Sequence, residues 1–264
     1  MENTMLSQIL SRMPGHPWYD RIHYFDTIDS TNTYAKKLAM EGAAAGTVII
    51  AGRQTAGRGR LGRSFSSPEN MGIYLSVILR PNCKPTDIMH LTCATGVAAL
   101  EAIARPDVGI KWTNDLVMGK RKLGGILTEL SVDPATGNVA WVVVGIGINC
   151  CQKSWDFPEE IRHMACSLGI EDRSDVMNLV VDLIEALHRM DRDLLSKKED
   201  IMSSFREKCV TIGSQISVVR GDDIRHGTAV AVDDKGGLLV QYPGGGSEIV
   251  TSGEVSIRGM YGYL

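Results

Sequence analysis

The 264-residue sequence predicts an α+β fold: a mixed, largely antiparallel sheet packed with helices, followed by a small β-barrel. Three observations lead there. Short apolar runs alternate with helical patterns over the first two thirds of the chain, and two of those runs are joined by DPATGN, whose Asp, Pro, Gly and Asn suit a tight antiparallel reversal. One long stretch, residues 174–197, has apolar residues at the spacing of a single helix face. After Ile212 the character changes to short alternating runs (QISVVR, GTAVAV, GLLVQY, EVSIRG) separated by GDD, DDKGG and PGGGS. Closely spaced strands of that kind suggest a small barrel, which sets expected units at residues 1–212 and 213–264.

The elements follow in order. Asp29 or Ser30 can cap a helix that runs through Ala35 and Leu38 and ends before Gly42. Residues 47–51 (TVIIA) form a strand that feeds a Gly/Arg loop, and residues 72–79 (GIYLSVIL) form another, stopped by Pro81. A buried helix is expected over residues 86–104. Strands are expected at residues 108–112, 125–132 and 139–148, the last two as the hairpin around DPATGN.

Composition bounds the function. A hydrophobic fraction of 44% with 22% charged residues is that of an ordinary folded protein, and the net charge of −3 argues against a chain devoted to nucleic acid. No apolar run approaches the ~20 residues of a membrane span, and the N-terminus lacks the pattern of a signal peptide, so a cytoplasmic location is expected with no membrane partner. The six cysteines lack CxxC spacing, the adjacent Cys150 and Cys151 suit no ordinary disulfide, and all are read as reduced thiols. His23, His90, His163, His188 and His226 show no ligand spacing, so no zinc site is expected.

Three clusters carry the chemistry. The loop QTAGRGRLGR (residues 54–63) presents Arg58, Arg60 and Arg63 among Gly57, Gly59 and Gly62. Glycines let backbone amides approach an anion, and guanidinium groups pair bidentately with phosphate oxygens. The loop is neither a GxxxxGK[ST] loop nor GxGxxG, and alone it also suits a basic surface turn or an RGG-like RNA contact. The second cluster is Lys111-Trp112-Thr113-Asn114-Asp115 at a strand end, with Lys122 seven positions after Asp115 beside Gly124 and Gly125. Trp112 suits the core or a pocket wall. The third is Gly145-Ile146-Gly147-Ile148-Asn149, a strand whose glycines offer bare backbone to a ligand.

Taken in order, Ser30-Thr31-Asn32, GRGRLGR, KWTNDL, KLGGIL and GIGIN resemble the biotin protein ligase family from about residue 20 onward. The resemblance implies a class II synthetase-like catalytic domain of the biotin/lipoate ligase type, a C-terminal SH3-like β-barrel, and a two-step reaction. Biotin and MgATP give biotinyl-5′-AMP and pyrophosphate, and a lysine of a biotin carrier domain then takes the biotinyl group. It assigns biotin contacts to Ser30, Thr31, Asn32, Gln54, Gly57, Arg58, Lys122, Gly125 and Gly145, and ATP or adenylate contacts to Arg58, Arg60, Arg63, Lys111, Asn114 and Asn149. Lys122, Arg58 and Asp115 become the catalytic set, with Mg²⁺ brought by ATP near Asp115 and Asn149. Asp115, an ordinary carboxylate, would orient the incoming lysine rather than strip its proton, since the pKa gap is about six units.

Two positions depart from the family pattern: Thr113 stands where proline is usual and Phe65 where tryptophan is frequent. A lipoate or octanoate ligase, and an RNA-binding module using the Arg/Gly loop, are the rival readings. The short stretch ahead of the matching region leads to the expectation of no DNA-binding domain and no operator binding, and a homodimer is possible. The loop is expected to be mobile when empty and ordered by ligand.

Overall fold

The computed structural model describes residues 4–251 and the backbone of residues 256–259. Two sheets organise it. The first has seven strands: β1 (Ile22–Ile28), β2 (Thr47–Gln54), β3 (Gly72–Leu79), β4 (Val108–Lys111), β5 (Asp115–Met118), β6 (Arg121–Val132) and β7 (Val139–Asn149). Their spatial order is β1-β2-β3-β7-β6-β5-β4, with β1 and β2 parallel and every other pair antiparallel. The DPATGN hairpin is present, closed by Asp133 N–H donating to the Asn138 carbonyl at 2.9 Å.

Five helices pack on this sheet: α1 (Met5–Leu10), α2 (Thr31–Met40), α3 (Leu91–Ile103), α4 (Arg173–Asp193) and α5 (Lys198–Lys208). Alternation along the strands divides them between two faces. Ile49, Ile78 and Val143 pack against Ala35 and Ala39 of α2 on one face. Val48, Ile50, Val77, Leu79, Val142 and Val144 point the other way, into the main core built with α3 and α4. Helix α3 starts later than its apolar pattern suggests, because Pro85–Ile88 forms a separate 3₁₀ turn in which Asp87 accepts from the Lys84 N–H.

The expected C-terminal barrel is not found. Strands β8 (Gln215–Arg220), β9 (Asp223–Val232), β10 (Leu238–Gln241), β11 (Ser247–Val250) and β12 (Ser256–Gly259) form an open sheet in the order β11-β10-β9-β8-β12. The register gives the reason. Strand β9 pairs with β8 through residues 223–228 and with β10 through residues 228–232, so only Thr228 faces both neighbours. Two ribbons thus share the two halves of one long strand. Closure requires the outer strands to pair, and among the described residues no ladder joins β11 to β12.

Trp112 ties this open sheet to the first. Its backbone N–H donates to Thr211 Oγ1 at 2.8 Å, and its indole Nε1–H donates to the Gly236 carbonyl at 2.9 Å, both buried. Trp112→Phe keeps most of the apolar surface but strands that carbonyl, so stability is expected to fall by ~1 to 3 kcal/mol. Urea denaturation followed by circular dichroism measures this, and an unchanged midpoint would refute it.

Candidate active site

Cross-strand partners point to the same side of a sheet, so the register lays out the site. One row across the α2 face reads Lys111, Asp115, Gly125, Gly147 and Tyr74, and the next reads Leu127, Gly145, Ser76 and Ile49. Helix α2 covers the far end of this face over Ile49, Ile78 and Val143. The uncovered part is the floor of a cavity of about 140 Å³. Ser30, Thr31, Asn32 and Gln54 line one end; Arg58, Arg60 and Arg63 line the side formed by the loop; Lys111, Asn114, Asp115, Lys122, Gly125 and Gly145 complete it.

The start of α2 supplies a locked polar end. Ser30 caps the helix, its Oγ accepting from the Thr33 N–H at 3.4 Å, an acceptor role that leaves the hydroxyl proton to be donated. Gln54 Oε1 accepts from Thr31 N–H at 2.8 Å and from Thr31 Oγ1 at 3.1 Å, and its amide nitrogen donates to Ser67 Oγ at 2.9 Å. Asn32 donates to the Leu127 carbonyl at 3.3 Å and to Glu129 Oε2 at 3.1 Å, while its Oδ1 accepts from Ser76 Oγ at 2.6 Å.

Ser76 and Glu129 do not figure in the sequence reading, although Ser76 is fully buried in the middle of this network. A lone serine in the apolar run GIYLSVIL was its available signal.

At the other end, Lys122 Nζ donates to Asp115 Oδ1 at 2.5 Å. A β-bulge makes this meeting possible. Leu116 pairs with Gly124 but Val117 pairs with Lys122, so Leu123 is the extra residue. The bulge turns Lys122 onto the same face as Asp115 and Gly125. Its backbone is pinned as well: Lys122 N–H donates to the Met164 carbonyl, and Cys166 N–H donates to the Lys122 carbonyl.

The Gly/Arg loop is a narrow excursion with tied walls. Phe65 N–H donates to the Gly57 carbonyl at 2.9 Å and Gly59 N–H to the Arg63 carbonyl at 2.7 Å. At the tip, Leu61 and Gly62 both have left-handed φ, +55° and +72°. Arg60 reaches back across the cavity to donate to Asn114 Oδ1 at 2.9 Å. Burial pulls the Arg60 pKa down, the negative charge of Asp115 opposing it, and the guanidinium stays protonated.

The strand glycines serve the protein's own side chains. A Cβ on Gly145 would lie 1.8 Å from Asn32 Oδ1, and one on Gly147 would lie 2.5 Å from the Phe65 ring. Phe65 and Trp112 both line the cavity. The bond between Trp112 and Thr113 is cis.

Gly57 and Asn149 fall outside the lining. A Cβ on Gly57 would meet the Phe65 carbonyl at 2.4 Å, so this glycine serves the loop's base. The Asn149 amide donates to the Cys166 carbonyl at 3.0 Å and accepts from Gln152 Nε2 at 3.1 Å.

His16, Glu185 and His188 bring their ligand atoms within 4.8 Å of one another. Trp18 N–H donates to His16 Nδ1 at 3.0 Å. A neutral ring accepting there carries its proton on Nε2, 3.3 Å from Glu185, with no lone pair at that nitrogen for a metal ion. All six cysteines are free, with burial pushing Cys150 up to about 12. Among the described residues no helix is long and apolar enough to cross a membrane.

Comparison with known proteins agrees with the geometry. The Biotin/lipoate A/B protein ligase family matches residues 24–149, and the Biotin protein ligase C terminal domain matches residues 211–258. The bifunctional ligase/repressor BirA of Bacillus spizizenii is 33% identical over 235 residues, covering 87% of this chain and 72% of the relative. The biotin–[acetyl-CoA-carboxylase] ligase of Mycobacterium tuberculosis is 32% identical over 241 residues, covering 86% and 85%. Among solved structures, the biotin protein ligase of Aquifex aeolicus in complex with biotin and ATP superposes with a TM-score of 0.73 at 29% identity, covering 90% of this chain and 99% of that one. With these matches joined to the site built from its own residues, the chain belongs to the biotin protein ligase family.

Proposed function

We propose that this chain activates biotin with ATP and passes the biotinyl group to a lysine of a carrier domain. One observation carries the reading: the Lys122–Asp115 pair stands on the floor of a cavity whose other walls are the polar start of α2 and the Gly/Arg loop. A slot with Phe65 and Trp112 in its walls, fixed hydroxyls and amides at one end and cations beyond them suits a ligand with a polar ring and a carboxylate.

In this reading Ser30, Thr31, Asn32 and Gln54 take the ureido ring, Gly125 floors the slot, and Gly145 leaves the room that Asn32 occupies. The biotin carboxylate oxygen attacks the α-phosphorus of ATP and pyrophosphate leaves. Attack of one anion on another needs fixed positive charge, which Lys122 and Arg58 supply. Arg60, Arg63, Lys111 and Asn114 hold the nucleotide side. In the second step the carrier lysine's amine attacks the acyl carbon, AMP leaves, and Asp115 orients that amine.

Mg²⁺ binds through one or two carboxylates plus phosphates. Asp115, a carboxylate at the cavity already paired with Lys122, would be the oxygen donor, whereas Asn149 lies outside the lining with its amide bonded to Cys166 and Gln152. The ion would neutralise phosphate charge.

Isotope exchange between ATP and pyrophosphate, run with biotin and separately with lipoate, tests the reading. Biotin-dependent exchange and a mass increase of one biotinyl group on an added carrier domain are expected. Exchange with lipoate alone would overturn it. Arg60→Ala removes the bond to Asn114 that spans the cavity, so release of biotinyl-AMP is expected to quicken about 10-fold or more, as loss of a charged hydrogen bond of ~1.5 to 3 kcal/mol implies. Filter retention of labelled adenylate measures this, and an unchanged release rate removes Arg60 from the clamp.

A further inference from the structure

Glu129 is where three parts of the site meet. It stands on β6 opposite Val143, one row beyond Leu127, at the border between the cavity floor and α2. Its Oε1 is 2.7 Å from Lys36 Nζ on α2 and 3.5 Å from Arg58 Nη1 in the Gly/Arg loop, and its Oε2 accepts from Asn32 Nδ2 at 3.1 Å. Burial raises the carboxyl pKa. Hydrogen bonds from Lys36 and Asn32 and the charges of Lys36 and Arg58 outweigh that, holding it below the usual glutamate range.

The two cations are held differently. Lys36 is at hydrogen-bond distance with its side chain 24% exposed, whereas Arg58 is 45% exposed and too far for a strong hydrogen bond. Two positive groups face one carboxylate. Losing one therefore does not leave a half-buried charge bare, which is the costly outcome for such groups.

We propose that Glu129 is a positioning residue that parks the Arg58 guanidinium at the cavity edge in the ligand-free protein and yields it to an anionic ligand, Lys36 then keeping the carboxylate paired. The ligand's identity rests on the ligase reading: the anion is the biotin carboxylate or the phosphate it becomes joined to. The parked state does not depend on that reading. Arg58 exchanges one anion for another, so the loop closes over ligand at little electrostatic cost.

Trypsin cleavage after Arg60 and Arg63 in the full-length, ligand-free protein reads the parked state. Glu129→Gln removes the charge at nearly constant shape, and cleavage is expected to quicken about two- to fivefold, the factor expected for a partly exposed ion pair. If Glu129 acts through Arg58, it adds less than 1.5-fold when placed on Arg58→Ala, by the logic of a double-mutant cycle. An equal increase in both backgrounds, or no increase in either, overturns the proposal.

Lys36→Met supplies the second arm in ATP–pyrophosphate exchange. With the relief cation gone, the KM for biotin is expected to rise by more than kcat falls, and the reverse ordering counts against the exchange of partners. Absence of biotin-dependent exchange in the wild-type protein would sink the ligase reading and leave the cleavage result for Glu129 standing.

Discussion

Lys122→Ala is expected to lower biotin-dependent ATP–pyrophosphate exchange by about 10² to 10³, the loss that follows removal of one preorganised charged group, ~3 to 4 kcal/mol of barrier. The expectation rests on how firmly the ammonium is aimed. The bulge at Leu123 turns it to the cavity, two backbone hydrogen bonds fix its strand position, and Asp115 holds its tip. A flexible lysine would lose that preorganisation to rotamer entropy.

Lys122→Arg separates charge from geometry. It keeps the cation but presents a wider planar group, so partial recovery is expected, well short of wild type. Thermal unfolding of both variants checks that the loss is not one of folding. Exchange within threefold of wild type in a folded Lys122→Ala protein would remove Lys122 from the chemistry.

Much of the first sheet was legible because its strands are punctuated by turns with a mechanism: Ser30 as a cap, Pro81 as a stop, DPATGN as a reversal. What escaped were elements with weak periodicity. Strand β1 lies at a sheet edge with mixed exposure, β5 is only four residues long and opens on the polar Asp115, and α5 carries few apolar positions. The barrel expectation failed for a different reason. Alternation marks which residues are strand, but it carries no information about which half of β9 each neighbour takes.

The site divided along the same line. Residues whose type announces chemistry, such as Lys122, Asp115 and the loop arginines, stand out in the chain itself and line one cavity. Ser76, Glu129 and the Leu123 bulge act through cross-strand register, which exists only once the strands are paired.

The glycines of GIGIN are where that register has its largest consequence. Bare backbone at Gly145 reads in sequence as room for a ligand, yet the room is filled by Asn32, whose Oδ1 lies 1.8 Å from where a Cβ would stand. A Cβ essentially never approaches another heavy atom more closely than 3.0 Å, so Gly145→Ala must push Asn32 by about 1.2 Å, the difference between 3.0 and 1.8.

Asn32 cannot give way cheaply. It is 5% exposed and bonded to Ser76, the Leu127 carbonyl and Glu129 together, and each buried polar group stranded by its movement costs ~1 to 3 kcal/mol. Because Asn32 also lines the end of the cavity assigned to the ureido ring, loss of one buried hydrogen bond there, ~1 to 3 kcal/mol, is expected to raise the biotin dissociation constant by about 10- to 100-fold. Calorimetric titration with biotin measures it. Asn32→Ala removes the obstructing side chain, so in that background Gly145→Ala should cost little further stability. Equal destabilisation in both backgrounds would mean that the added methyl group meets something other than Asn32.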